Sequence, residues 1–222
     1  MNELVPVFET SLFDTSLVDI GVDFFELGID SILQDGLLKD IPIVGTIVGV
    51  GKFAQNVHDR NLLRQSLVFI NEFNNGQIAP EKIAKHRIKL QQNPHFREEE
   101  IGRVLILLNK NMDMIKSLYE AKFYAAYVDE QISWTEFCEL CDITDRLFIS
   151  DISSLREAYL NNGITEQMEI SYKHDRLISV GLLTNEARLS GSIFVVELDS
   201  QERQNIMDLT EIGRKFCGIA FN

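Results

Sequence analysis

The sequence predicts a mainly α-helical protein with a small α+β domain at its C-terminal end. Over 12–160, apolar residues recur at the spacing of helix faces, and asparagine, glycine and proline interrupt the pattern at intervals. After 161–163, which read Asn-Asn-Gly, helices are interleaved with short alternating segments typical of strands. We therefore expect an N-terminal helical bundle over 12–160 and a separate small domain over 161–222.

The composition favours a globular protein that does not bind nucleic acid. With 45% hydrophobic and 25% charged residues, the 222-residue chain has the balance of a soluble domain. Its net charge is −13, and acids outnumber bases by nine to one in 1–50 and by seventeen to nine in 121–222. Nucleic-acid affinity depends on a basic surface that neutralises phosphates, which this charge balance disfavours. Three cysteines and an N-terminus without a basic stretch predict a cytoplasmic location, with peripheral membrane association as the alternative.

The apolar segment, residues 41–51, is the most distinctive stretch of the chain. Its eleven residues carry no charge, and a helix can begin at Pro42. The run Gly51-Lys52 does not complete a phosphate-binding loop, because Thr46 stands where the pattern needs its first glycine. Eleven residues are also too few to cross a bilayer alone, which takes about 20.

Two interpretations of the apolar segment remain open. Glycine inside a helix costs about 1 kcal/mol relative to alanine, so repeated glycines need a physical reason. The favoured interpretation is a buried helix whose glycines let another helix cross at short range. The alternative is a segment that inserts into a membrane or associates with a second copy. The candidate interaction or membrane residues are Ile43, Gly45, Ile47, Gly49, Val50 and Gly51.

Further helices are predicted from apolar periodicity and from start and stop signals. Pro80 and the pair Asn93-Pro94 delimit a short basic helix, whose charge we interpret as complementing acidic parts of the same chain. Ser133, with Glu136 three positions on, predicts an N-cap. The predicted helices are Ser16–Leu33, which is acidic and amphipathic, Phe53–Phe73, Pro80–Gln92, Glu98–Ala126 as one long helix, and a helical pattern over Ser133–Ala158.

No residue pattern predicts catalysis, cofactor binding or a metal site. Cys138 and Cys141 form a C-x-x-C, but without a second pair or a strand–helix context we expect buried structural thiols. The four histidines have no ligand spacing, and no serine–histidine or paired-carboxylate arrangement stands out in so acidic a chain. We therefore predict that the protein is not an enzyme and uses no cofactor.

The C-terminal domain is predicted to be winged-helix-like. A helix over Glu166–Val180, strands over Ile193–Leu198 and Ile206–Leu209, and a helix from the run LTEIGRKF give the order helix, hairpin, helix. The runs DRLISVGLLT and LTEIGRKF resemble winged-helix domains at the residues that close the core. The first helix offers Lys173 and Arg176 as a candidate surface. Acidic neighbours balance their charge, so we expect this domain to bind protein rather than DNA.

Four runs carry a wider resemblance: DGLLKDIPIVGT, the HDR that follows it, YVDEQISWTEFCELCDITDRLFISDI and the terminal LTEIGRKF. Together they resemble a family of uncharacterised bacterial proteins of about this length. Small families of this kind often accompany phage-defence or prophage loci, so the resemblance implies a role in bacterial defence.

These observations lead to one functional expectation and two alternatives. We expect a non-enzymatic interaction or adaptor protein, in phage defence or a stress response, that binds a protein partner or a second copy of itself. The first alternative is a membrane-perturbing effector that uses the apolar segment. The weaker alternative is a winged-helix DNA-binding regulator.

Overall fold

The computed structural model describes residues 4–14, 38, 40–49, 56–165, 168–185 and 205–221. Within these ranges the chain forms ten helices and one three-stranded antiparallel sheet, which confirms the mainly α prediction. The chain divides into two compact units, residues 1–141 and 142–222. The sequence-based boundary after residue 160 stays a prediction.

The described residues of the first unit form helices that pack around an aromatic core. The aromatic rings of Phe69 and Phe73 lie 5.8 and 5.6 Å from the ring of Tyr124, and all three side chains are buried. Burying each phenylalanine contributes about 1.5–3 kcal/mol. The helices are α1 Leu4–Leu12, α2 Pro42–Gly49, α3 Val57–Asn75, α4 Pro80–Gln92, α5 Pro94–Lys110, α6 Met114–Val128, and α7 Trp134–Arg146, whose last residues belong to the second unit.

Local stop and start signals position several of these helices as predicted. Helix α4 has the predicted bounds, with Pro80 in its first turn. Asn93 then caps α5, because its side-chain oxygen accepts from the backbone N–H of Phe96 at 3.0 Å. Helix α3 ends at Asn75, two residues beyond the predicted end at Phe73. The predicted Ser16–Leu33 helix and the start of the Phe53–Phe73 helix lie outside the described residues.

The predicted long helix over Glu98–Ala126 is wrong. Helix α5 begins earlier, at Pro94, and 111–113 separate it from α6. The cause is Asn111, which is buried. Its carbonyl accepts from the side chains of Asn61 and Gln65 on α3, at 2.7 and 3.2 Å. A backbone carbonyl satisfied by another helix does not need a bond from its own helix, so the chain can turn here.

The pattern over Ser133–Ala158 is also divided, into α7 and α8, by the residues 147–148. The predicted cap at the first of these helices is present. The hydroxyl of Ser133 accepts from the N–H of Glu136 at 3.2 Å, and the Glu136 carboxylate accepts from the Ser133 N–H at 2.7 Å. At the start of α8, Asp151 has the role that Glu136 has in α7. Its carboxylate accepts from the N–H of Phe148 at 3.0 Å.

The described part of the second unit combines helices with the small sheet. Its elements are α8 Ile149–Leu160, β1 Ile164–Thr165, α9 Tyr172–Ser179, β2 Leu183–Asn185, β3 Asn205–Leu209 and α10 Glu211–Ala220. The strand order is β1-β3-β2. Strand β3 and helix α10 were predicted. Helix α9 starts later than predicted, because the side chain of His174 accepts from the Ser171 N–H at 3.0 Å and so caps the helix there. The predicted Ile193–Leu198 strand lies outside the described residues.

A tight junction joins the start of β2 to the start of α10. Thr210 donates its backbone N–H to the carbonyl of Leu182 at 3.1 Å and its hydroxyl to the carbonyl of Gly181 at 2.6 Å. The same hydroxyl accepts from the N–H of Gly213 at 2.9 Å and caps α10. A Cβ on Gly213 would lie 2.1 Å from the Leu182 carbonyl oxygen. The junction therefore requires glycine at position 213.

Candidate functional site

The second unit exposes a group of large side chains that we call the aromatic–arginine surface. Its centre is the guanidinium of Arg176, whose carbon lies 4.8 Å from the ring centroid of Phe148 and 4.7 Å from that of Tyr172. Phe148 is 62% exposed and Tyr172 is 65% exposed. The surface consists of Phe148, Ile149, Ile170, Tyr172 and Arg176, and both isoleucines are exposed as well.

A buried carboxylate holds this surface in place. Asp151 is fully buried, and it accepts from both Nε and Nη2 of Arg176, the first at 3.0 Å. Because the same carboxylate caps α8 through the N–H of Phe148, one side chain fixes the start of α8 to the middle of α9. These hydrogen bonds with Asp151 raise the pKa of Arg176 above its usual value, and nearby Tyr172 adds to the effect. The guanidinium beside the two rings therefore stays charged, and Asp151 holds it in one orientation.

The chemistry of this surface suits protein recognition. Aromatic and arginine side chains are enriched at the centres of interfaces and among the residues that contribute most to binding. Here the guanidinium is already fixed by Asp151 and lies over the rings of Phe148 and Tyr172. Little side-chain entropy is then lost on binding, which favours affinity.

The sequence located only part of this surface. Lys173 is half-buried, and Arg176 lies at the centre of the surface but is bound to Asp151. Tyr172 could have been found from its spacing of four residues from Arg176 on one helix. Phe148 comes from another helix, and no local pattern indicates that it approaches α9.

The apolar segment forms the short helix α2, whose apolar side is buried. Ile43 and Ile47 are buried, and the N–H of Ile43 donates to the hydroxyl of Ser11 on α1 at 3.0 Å. Gly45 and Gly49 lie on the exposed side, where an added Cβ would meet no described atom within 4 Å. Close helix packing at these two glycines is therefore not found among the described residues. Val50 and Gly51 lie outside them.

Two lysines of the basic helix α4 are paired with carboxylates of the same unit, which agrees with the predicted charge complementarity. The ammonium of Lys82 lies 3.1 Å from the carboxylate of Asp129, and that of Lys85 lies 2.6 Å from Glu130. Hydrogen bonds from Gln131 and then Lys82 lower the pKa of Asp129, and Lys85 lowers the pKa of Glu130. These lysines are engaged by carboxylates rather than presented as a basic stripe.

A buried polar group, the Glu100 cluster, was missed from the sequence. Glu100 is 1% exposed and accepts from Tyr124 at 2.7 Å and Tyr127 at 3.0 Å. His86 Nε2 lies 2.7 Å from the same carboxylate, and because a carboxylate oxygen only accepts, this nitrogen carries the proton. Burial, and then the charge of Glu100, raises the pKa of both tyrosines above its usual value. The cluster joins α4, α5 and α6.

The three cysteines form no disulfide and lie at mainly buried positions. Cys141 and Cys217 are buried and Cys138 is half-buried. Burial raises the pKa of Cys217 to about 12, which keeps it protonated and unreactive at neutral pH. Across the described ranges, no group of three or more histidine, cysteine, aspartate or glutamate side chains could hold a metal ion.

Two findings bear on how the chain can be classified. Among the described helices, none combines the length and the apolar character needed to cross a bilayer. Comparison with protein-family models, curated proteins and solved structures gives no significant match to this chain.

Proposed function

We propose that this is a non-enzymatic adaptor or regulator that binds a protein partner through the aromatic–arginine surface of a winged-helix-like C-terminal unit. The observation that carries the proposal is the exposed stack of Phe148, Arg176 and Tyr172, held by buried Asp151. The order of α9, the sheet and α10 supports the winged-helix-like description. Bacterial phage defence or a stress response is the setting that the family resemblance implies.

DNA binding by the same unit is the less favoured function. Arg176 donates two of its hydrogen bonds to Asp151, so its charge is largely offset within the unit. Affinity for DNA comes mainly from cations that neutralise phosphates. Binding to duplex DNA that weakens steeply with salt, and that is lost in Lys173→Gln, would favour DNA over a protein partner.

Truncation of the two exposed rings should strongly weaken partner binding while leaving the protein folded. We expect the double variant Phe148→Ala, Tyr172→Ala to bind the partner about thirtyfold more weakly or worse, because truncating central interface residues costs at least about 2 kcal/mol. Cation–π contacts at exposed sites are weak, so their loss should leave the unit folded. The measurement is quantitative affinity purification from the source cells, followed by titration of the purified partner.

Two exposed apolar residues provide matched controls for this experiment. Leu160, in the same unit, is 75% exposed and Met112, in the first unit, is 87% exposed. Leu160→Ala and Met112→Ala should bind the partner like the wild type. Equal binding by the double variant, or an enzymatic activity of the purified protein that a point substitution removes, would contradict the proposal.

A membrane-perturbing effector is a second candidate, favoured by the position of two glycines. Glycine at positions 45 and 49 lowers the stability of the helix. No described atom comes close enough to either position to require glycine there. Close contact between helices after insertion or assembly would supply the missing reason. Insertion would require release of Ile43 and Ile47 from the core, since both are buried.

The substitution Gly49→Asp should leave the folded protein intact but prevent insertion into a bilayer. No described atom lies within 4 Å of a Cβ placed at Gly49, so the folded protein should accommodate the carboxylate. In a bilayer centre, an aspartate costs about 2.5–3.5 kcal/mol, so insertion should fail. The effector function predicts dye release from liposomes by the wild type and by Gly102→Asp, an equally open control site on α5, but not by Gly49→Asp. Absence of release from both anionic and neutral vesicles would remove this candidate.

A further inference from the structure

The second unit contains a cavity that the proposed interaction surface does not use. Its volume is about 400 Å³, and its lining combines the end of α8, the turn after it, the end of β3 and the start of α10. Ligand pockets are typically about 300–1,000 Å³, so the cavity has room for a small organic molecule. The lining residues are Tyr159, Asn162, Leu209 and Arg214, and we call this space the Arg214 cavity.

Arg214 supplies an oriented and uncompensated positive charge to the cavity. Its Nη1 donates to the backbone carbonyl of Leu209 at 2.8 Å, which holds the guanidinium at the end of β3. In the described part of the chain, no carboxylate forms an ion pair with it. A guanidinium has five N–H donors in a planar fork, and most of them remain for a ligand.

Tyr159 and Leu209 complete a site with one polar and one apolar side. In the described part of the chain, the hydroxyl of Tyr159 makes no hydrogen bond with a protein group, and its ring packs 6.2 Å from that of Phe221. A phenol hydroxyl can donate to an anionic oxygen beside the guanidinium. Leu209 provides apolar surface for the body of the same ligand.

We propose that the Arg214 cavity binds a small organic anion, with its carboxylate or phosphate on Arg214 and Tyr159 and its apolar body on Leu209. Arginine recognises both head groups through paired charge-assisted hydrogen bonds. This inference goes beyond partner binding and does not depend on it, because the cavity and the aromatic–arginine surface consist of different residues.

The test is a titration of the full-length protein with phenyl phosphate, benzoate and the neutral analogue benzyl alcohol, followed by NMR of backbone amides. We expect saturable shifts at 162, 209 and 214 with one or both anions, and none with benzyl alcohol. Arg214→Gln should weaken anion binding about tenfold or more, and Tyr159→Phe about threefold to tenfold, as expected for a charged and a neutral hydrogen bond. Comparing the two anions identifies the preferred head group.

Control variants distinguish the proposed site from general attraction to a cationic surface. Arg156 also lies in the second unit, 5.4 Å from the ring of Phe221, but does not line the cavity. Arg156→Gln should bind the anions like the wild type, and Arg214→Lys should retain part of the affinity. If the Arg214→Gln variant does not fold, anion binding by Tyr159→Phe tests the proposal instead. Equal binding of benzyl alcohol, anion binding unchanged in Tyr159→Phe, or no shift at these amides would overturn the proposal.

Discussion

Gly213→Ala should destabilise the second unit by about 3 kcal/mol, the upper end of the usual cost of overpacking a core. The added Cβ would lie 2.1 Å from the carbonyl oxygen of Leu182 and 3.0 Å from its carbon. Both are backbone atoms, so no side-chain rotation relieves the clash. Helix α10 would have to move away, which would break the bond from the Thr210 N–H to Leu182 and disturb the cap that Thr210 makes.

Gly218→Ala, in the same helix, is a control with an effect of opposite sign. Among the described atoms, a Cβ there comes within 4 Å only of the hydroxyl of Tyr159, at 4.0 Å. This variant should gain up to about 1 kcal/mol from helix propensity. Amide hydrogen exchange of β3 and α10 measures both effects within the second unit. Equal protection of these amides in Gly213→Ala and Gly218→Ala would mean that position 213 does not lie in close contact with the Leu182 carbonyl.

Features fixed by neighbouring residues were predictable from the sequence. Pro80 and Asn93 act within one helical turn of themselves, and α4 has the predicted bounds. The cap formed by Ser133 and Glu136 also spans only three positions. Such signals act through backbone geometry and short side chains, so they operate in any tertiary setting.

Features fixed by distant residues were not predictable. The break after α5 depends on Asn61 and Gln65 reaching the carbonyl of Asn111, across about 50 positions of sequence. The candidate site shows the same limit: Arg176 was identified as a surface cation, but its partner Asp151 lies on a different helix. Periodicity assigns charged residues to solvent, and it cannot indicate which of them are buried together with a partner.

Glu100→Ala should be among the most destabilising substitutions in the first unit, costing about 3–5 kcal/mol. The carboxylate accepts from Tyr124 and Tyr127 and lies 2.7 Å from Nε2 of His86. Its removal leaves three donors without their acceptor, in a cluster where Tyr124 is fully buried. Each buried donor left unsatisfied costs about 1–3 kcal/mol, although the three costs are not additive.

The expected loss can be measured in the first unit alone, because the chain has a single tryptophan and it lies there. Trp134 is stacked 4.9 Å from Phe137 and lies 5.2 Å from Tyr127, so its fluorescence should follow the unfolding of this core in urea. Glu99→Ala is the matched control: Glu99 is the adjacent glutamate on the same helix and its side chain is 66% exposed. It should change stability by less than about 0.5 kcal/mol. A Glu100→Ala midpoint equal to that of Glu99→Ala would mean that the carboxylate is hydrated rather than buried, and that His86 and the tyrosines do not depend on it.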